Sequence, residues 1–174
     1  MNKSLILLMS VIFAIVGCGE DNNKETDNKA IETNDIVYGR QIDFSKLKVS
    51  EIQAKGEAVS ITCLGKEASF DHELYFENEN RRICNSQETN TTVNLGIFNE
   101  SEVLTFRLDV TNTGDSFYTG NASMNPDNIV HAKSYINKVG KIYLGFEDLY
   151  NGGDMDFNDC LFLVEGVKLA DIEN

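Results

Sequence analysis

The amino-acid sequence predicts an all-β protein, more specifically an antiparallel β-sandwich of the jelly-roll-like or Ig-like kind. Apolar residues recur at every second position in several short stretches, which is typical of strands with one buried face. The spacers between these stretches are rich in Asn, Gly, Ser, Thr and Asp, the residues that form turns. Seven or more short strands separated by turns favour a sandwich or a barrel.

Several stretches of the chain are predicted to form strands. Alternation is clearest in residues 103–110 and 68–76, where His72 shares a face with apolar side chains and is interpreted as a packed residue. Residues 160–164 are apolar at every position, which indicates a central strand covered on both faces. Residues 44–55 fit a short helix or a strand equally well. The other predicted strands lie at residues 59–63, 93–97, 129–136 and 141–146.

Residues 1–17 have the pattern of a bacterial lipoprotein signal peptide. Lys3 precedes an apolar run that is too short to span a bilayer well, and Cys18 follows a small residue at its end. This ending resembles a lipobox, whose cysteine is acylated and becomes the first residue of the mature protein. We therefore expect Cys18 to carry a lipid that anchors the protein in a membrane; the alternative is an ordinary signal peptide with a chance cysteine. Gly19 replaces the aspartate that retains lipoproteins on the inner membrane, which favours the outer membrane or the cell surface.

Residues 18–35 are predicted to form an acidic, disordered tether behind the lipidated cysteine. After Cys18 this stretch contains six acids, two lysines and one aliphatic residue larger than alanine, which cannot bury a core. Residues 36–174 then form one domain by their length. The chain has 15 Lys and Arg against 28 Asp and Glu, a net charge of −13. This balance argues against binding to nucleic acid and to anionic lipid headgroups, and it suits an extracellular or cation-binding surface.

Three cysteines remain once Cys18 is assigned to the lipid. An exported protein reaches an oxidising compartment, so one disulfide is expected. We favour Cys63–Cys84, which would add about 3 kcal/mol in the chain-entropy model, while the other pairings stay open. Cys160 begins an apolar run and is expected to be a buried thiol.

Residues 145–159 combine five carboxylates with no basic residue. The five are Glu147, Asp148, Asp154, Asp156 and Asp159. Hard cations such as Ca²⁺ take six to eight oxygen ligands, and this loop supplies many oxygens over a short distance. Gly152 and Gly153 permit the positive φ angles that such a loop needs. The spacing is not that of an EF-hand, so the sequence predicts a calcium-type acidic loop of another kind.

The chain from residue 93 to about residue 165 resembles a family of secreted bacterial domains, domain of unknown function 4114. The most specific pieces are Gly-Phe-Glu-Asp-Leu at 145–149 and Gly-Gly-Asp-Met-Asp-Phe-Asn-Asp at 152–159. Weaker pieces follow the family's order at residues 93–98, 104–110, 112–120 and 125–132. The resemblance implies a β-sandwich-like fold, calcium binding and an exported, often surface-attached protein, but no defined activity. Cys160 stands where an aliphatic residue is usual in the family.

The acidic loop has three interpretations. A bound Ca²⁺ would hold the turn between the flanking strands together. Without a metal, Asp and Asn side chains would cap turns through local hydrogen bonds. A catalytic divalent site would need a positioned base or nucleophile beside the metal.

A few other residues are candidates for contacts. His131 is expected to hydrogen-bond a neighbouring turn, such as the acidic loop, and Asp127 is either a further ligand or a turn residue. Tyr118 and Tyr150 are either packed aromatics or contacts for a glycan or a surface protein. The sequence contains no nucleophile elbow, phosphate loop or dinucleotide fingerprint.

These observations predict a non-enzymatic, lipid-anchored surface module, stabilised by Ca²⁺, for adhesion, matrix assembly or partner binding. The alternative is a metal-dependent hydrolase or polysaccharide-processing enzyme that uses the acidic loop. Asp154, Asp156 and His131 together in an open cleft would favour the enzyme. A shielded loop at the edge of the sandwich would favour the module.

Overall fold

The computed structural model describes residues 46–172, and this range consists almost entirely of strands and turns. Lipidation at Cys18, the signal peptide, the tether and the first residues of the predicted domain lie outside the described residues. Within residues 46–172 no helix combines the length and the apolar character needed to cross a membrane. The strands are β1 (Ser50–Ala54), β2 (Ala58–Gly65), β3 (His72–Phe76), β4 (Arg81–Asn85), β5 (Thr91–Ile97), β6 (Phe106–Val110), β7 (Asp115–Tyr118), β8 (Ala132–Ile136), β9 (Ile142–Phe146), β10 (Cys160–Glu165) and β11 (Val167–Asp171).

Two antiparallel sheets form the main layers of the fold. One has five strands in the order β5-β2-β10-β9-β8, and the other has four in the order β4-β3-β6-β7. A third sheet pairs β1 with β11. The predicted all-β sandwich is confirmed, and residues 44–55, which fitted helix or strand, contain the strand β1.

The core follows from the alternation of apolar residues. In the four-stranded sheet, Leu74 lies opposite Leu108 and Phe76 opposite Phe106, and all four side chains are buried. They belong to the same cluster as buried residues of the five-stranded sheet such as Phe162. Burial of each such side chain contributes about 1.5–3 kcal/mol, so the packing of one sheet on the other is the main stabilising contact.

The central strand was predicted correctly. β10 lies between β2 and β9, and Cys160–Val164 are buried at every position because neither face of the strand meets solvent. Three strands were not predicted, namely β4, β7 and β11. β4 and β7 are edge strands with mixed polar sequences, and β11 forms only through its pairing with β1, so pairing rather than periodicity determines them.

A disulfide joins the two main layers. It connects Cys63 of β2 with Cys84 of β4, which is the pairing expected from the sequence. Cys160 is a free, buried cysteine, and burial raises the pKa of its thiol. The cross-link closes a loop with a sequence separation of 21 residues, and so it is expected to stabilise the fold by about 3 kcal/mol.

The acidic loop connects two neighbouring strands of the five-stranded sheet. β9 and β10 are antiparallel, with Phe146 opposite Cys160, so residues 147–159 leave the sheet and return to its adjacent strand. The loop folds back closely over β9. A Cβ atom at Gly145 would lie only 2.1 Å from the carbonyl oxygen of Phe157, so this approach requires glycine.

Candidate metal centre

The acidic loop has a tightly curled backbone. Gly152 and Gly153 have φ angles of +82° and +52°, as expected from the sequence. Met155 and Phe157 also have positive φ angles, +64° and +60°, which side chains of their size adopt only when the surrounding structure imposes them. A Cβ atom at Gly153 would lie 2.8 Å from Oε2 of Glu147. The loop is therefore wrapped against the Glu147 carboxylate.

Three carboxylates converge inside this loop. One oxygen each from Glu147, Asp154 and Asp156 lies within 4.8 Å of the other two. Opposite ligands of a Ca²⁺ ion are separated by about twice the Ca–O distance, or about 5 Å. Glu147 is completely buried, Asp156 is half-buried and Asp154 is exposed. The three groups thus form a cup of the right size for one cation, with Glu147 at its base.

Glu147 is the unusual member of the cluster. Its Oε1 accepts the backbone N–H of Phe157, whereas its Oε2 is buried without a hydrogen-bond partner. Burial raises the pKa of Glu147 to about 7. The hydrogen bond from Phe157 acts to lower the pKa, whereas the charges of Asp159, Asp154 and Asp156 raise it further. An unpartnered buried polar group costs about 1–3 kcal/mol, and more when it is charged. A proton, a cation or the O–H of a water molecule at this oxygen would remove that cost.

Asp154 and Asp156 repel each other as well as Glu147. Burial raises the pKa of Asp156, and the charge of Asp154 and the contact between the two carboxyls add to this, while the Asn158 amide groups oppose it. None of the salt bridges formed among residues 46–172 includes a member of the cluster. The negative charge of the cluster is therefore not neutralised by basic side chains of the described chain.

Asp148 and Asp159 do not join this cluster, contrary to the expected set of five ligands. Asp148 is buried with Oδ2 at 2.8 Å from Nε2 of His72. Asp159 accepts the backbone N–H of Asp148 through Oδ2 at 3.0 Å. Neighbouring side chains of an extended segment point to opposite sides, so Glu147 and Asp148 diverge where the chain leaves β9. Burial raises the pKa of Asp159 to about 6, and the charge of Asp148 adds to this.

His72 connects the loop to the opposite sheet. It is buried in β3 among core residues, as its position in the alternating strand predicted. Its hydrogen bond to Asp148 was not predicted, although a buried histidine requires a polar partner. Because β3 belongs to the four-stranded sheet, this bond fastens the loop across the two layers.

His131 and Asp127 hold the outer side of the loop. The fully buried His131 lies with Nδ1 at 3.1 Å from the carbonyl oxygen of Glu147 and Nε2 at 2.9 Å from Oδ2 of Asp127. The expected contact between His131 and the acidic loop is thus present. Asp127 also accepts the N–H of Asn151 at 2.8 Å and that of Ile129, and so its role is to fasten the loop. Burial acts to raise the pKa of Asp127, but these hydrogen bonds outweigh it and hold the pKa below its usual value.

Three large hydrophobic side chains of the acidic loop are exposed. Tyr150 is 48% exposed, and Leu149 and Met155 are each 45% exposed. Tyr150 thus lies on the loop surface, whereas Tyr118 is partly buried in β7. Leu149 and Met155 were not recognised in the sequence, where each resembles an ordinary core residue. The available signal was that Leu149 directly follows Asp148 and that Met155 lies between Asp154 and Asp156.

Comparison with known protein families identifies a family to which the chain is similar. A family model described as "Domain of unknown function (DUF4114)" matches residues 66–167, which is more than half of the chain. The match begins at residue 66, directly after β2, and so includes β3 and β4, whereas the motifs recognised in the sequence begin at residue 93. Neither the curated proteins nor the solved structures contain a significant match to the chain.

Proposed function

The chain belongs to the family Domain of unknown function (DUF4114), and we propose that it is a non-enzymatic surface module whose acidic loop is held together by one Ca²⁺ ion. The observation that carries this proposal is Oε2 of Glu147, which is buried and lacks a partner, in a residue that has an oxygen within 4.8 Å of oxygens of Asp154 and Asp156. A cation at this point would satisfy the oxygen and neutralise the repulsion that raises the pKa of Glu147.

The donor set favours Ca²⁺ over other metals. The three groups offer only carboxylate oxygens, which suit hard cations, and neither histidine nor cysteine is among them. Mg²⁺ requires a nearly ideal octahedron and keeps several waters, whereas Ca²⁺ accepts irregular shells of six to eight oxygens. The irregular backbone of this loop therefore fits Ca²⁺ better. Glu147, Asp154 and Asp156 would hold the ion, with backbone oxygens or water in the remaining positions.

The role proposed for the ion is structural. A ligand that binds only the folded state stabilises it by about 2.7 kcal/mol at a concentration one hundred times its Kd. The loop is already fastened by His72 through Asp148 and by His131 through the backbone of Glu147. The ion would hold the remaining part, residues 153–156, against the base of the cup.

The surroundings of the cluster favour a module over a hydrolase. Metal-dependent hydrolysis needs a base or nucleophile placed beside the ion. The chain has two histidines; His72 is bonded to Asp148, and His131 has both ring nitrogens close to oxygen acceptors. Both are buried and make structural contacts, and Nδ1 of His72 has no hydrogen-bond partner among the described residues. A polysaccharide-processing enzyme is therefore the weaker proposal.

The cellular setting of the proposed module follows from its N-terminal sequence. We propose that Cys18 is acylated and that the acidic tether holds the domain away from an outer membrane or cell surface. There the module would bind a surface protein or a glycan, in adhesion or matrix assembly.

Thermal melting of the purified mature protein in detergent tests the metal proposal. We expect Ca²⁺ to raise the melting temperature above its value in chelator, with Mg²⁺ having a smaller effect. The double variant Asp154→Asn with Asp156→Asn should lose the Ca²⁺ effect. The exposed pair Glu57→Gln with Asp171→Asn changes the charge equally and should retain it. An unchanged melting temperature in wild-type protein would reject the metal and leave turn capping by Asp and Asn as the explanation.

A further inference from the structure

The acidic loop is rich in exposed apolar side chains. Eight large hydrophobic side chains are exposed within residues 46–172, and three of them lie in the seven residues 149–155. Leu149 lies close to the cluster, since its Cδ1 is 3.5 Å and Glu147 Oε2 is 2.8 Å from the position of a Cβ atom at Gly153. Met155 Sδ lies 2.5 Å from the position of a Cβ atom at the neighbouring Gly152, and Tyr150 follows Leu149 in the chain. Clustered exposed apolar side chains beside polar groups mark interaction sites more often than isolated ones do.

A cation in this cup would be accessible from one side only. Glu147 closes the inner side and is completely buried, whereas Asp154 at the rim is exposed. Three carboxylates cannot by themselves complete a Ca²⁺ shell of six to eight oxygens unless all bind through both oxygens. The outward positions are therefore open to water or to oxygen atoms of a ligand.

The charge of the site decides which ligand fits. Glu147, Asp154 and Asp156 in their charged forms together carry one more negative charge than a Ca²⁺ ion neutralises. A carboxylate or phosphate ligand would meet this excess negative charge, and a cationic ligand would compete with the ion. A neutral ligand with two adjacent hydroxyl groups replaces two waters without adding charge.

We infer that the mouth of this loop is a Ca²⁺-dependent binding site for neutral glycans. Two adjacent hydroxyl groups of a sugar coordinate the ion, and the apolar C–H face of the ring packs on Tyr150 beside Leu149 and Met155. An amphipathic tyrosine suits this role because it offers both an apolar ring and a polar hydroxyl at the surface. The inference rests on the proposed Ca²⁺ site and adds the class of ligand that the site binds.

A glycan array probed with the detergent-solubilised mature protein tests the inference. The array carries neutral and anionic oligosaccharides, and binding is measured with Ca²⁺ and with chelator. We expect binding to neutral glycans in Ca²⁺ and its loss in chelator. Tyr150→Ala should weaken this binding by about tenfold, the order of the contribution of one aromatic contact. It should leave the Ca²⁺-dependent rise in melting temperature intact, because Tyr150 supplies no carboxylate to the ion.

Ile136→Ala is the matched control. Ile136 is 50% exposed, like Tyr150, but it lies at the other end of the same sheet, where β8 turns into β9. This variant should bind glycans as the wild type does.

Four results would overturn the inference, and one of them also rejects the metal site. If Ca²⁺ has no effect on the melting temperature, both the metal site and the glycan site are rejected. A Ca²⁺ effect without binding to neutral glycans rejects only the glycan site. A preference for anionic glycans, or for vesicles containing phosphatidylserine, refutes the charge argument. Glycan binding that survives both chelator and Tyr150→Ala places the site elsewhere on the molecule.

Discussion

Replacement of Glu147 by glutamine is expected to change stability in opposite directions with and without calcium. Glutamine keeps the shape of the side chain and an oxygen that can accept the N–H of Phe157, but it removes the buried charge. In chelator at pH 8 we expect Glu147→Gln to be more stable than the wild type. In Ca²⁺ the advantage should disappear, because only the wild type gains stability from the ion.

The size of the expected stability difference in chelator follows from the pKa of Glu147. Below pH 4.5 the carboxyl is protonated in both the folded and the unfolded chain, and its shift costs nothing. Between pH 4.5 and about 7 the folded chain holds a proton that the unfolded chain has released, so stability falls as the pH rises. Above pH 7 the decrease in the free energy of unfolding is complete, and it amounts to about 3 kcal/mol for a pKa shift of this size. For a domain of this length it corresponds to about 10 °C in melting temperature.

The assay is thermal melting of wild type and Glu147→Gln at pH 5 and pH 8, each in chelator and in Ca²⁺. The two proteins should have similar melting temperatures in chelator at pH 5 and should separate at pH 8. Glu57→Gln, at an exposed glutamate, is the control and should follow the wild type in every condition. If Glu147→Gln is less stable than the wild type in chelator at pH 8, the unpartnered carboxylate is not a source of strain, and the argument for the cation fails.

Two further substitutions and one measurement test the loop backbone, the disulfide and the lipid anchor. Gly153→Ala should destabilise the protein by about 1–2 kcal/mol in urea unfolding, because its φ of +52° and the 2.8 Å approach to Glu147 Oε2 leave no room for a methyl group; equal stability would contradict this loop geometry. Cys63→Ala with Cys84→Ala should cost about 3 kcal/mol, and non-reducing peptide mapping of the wild type should recover the Cys63–Cys84 pair. Mass spectrometry of the mature N-terminus should find an acylated Cys18, whereas an unmodified amine at a later residue would refute the lipid anchor.

Strands with strict alternation could be predicted from the sequence, but only approximately at their ends. Residues 68–76 and 103–110 contain β3 and β6, yet β3 begins at His72 and β6 at Phe106. Alternation identifies which face of a strand is buried, and the two strands indeed bury the predicted side chains. It does not show where hydrogen bonding to a neighbouring strand starts, because that depends on residues distant in the chain.

The sequence by itself determined that an acidic, glycine-containing loop joins two buried strands, since composition and local apolar runs express both features. Only the tertiary structure decided that Asp148 turns to His72 while Glu147 faces Asp154 and Asp156. The set of ligands depends on the side of the chain to which each carboxylate points and on the hydrogen-bond partners that the opposite sheet provides. The unpartnered Oε2 of Glu147 likewise depends on burial, which arises only when the loop folds over β9 and the two sheets pack together.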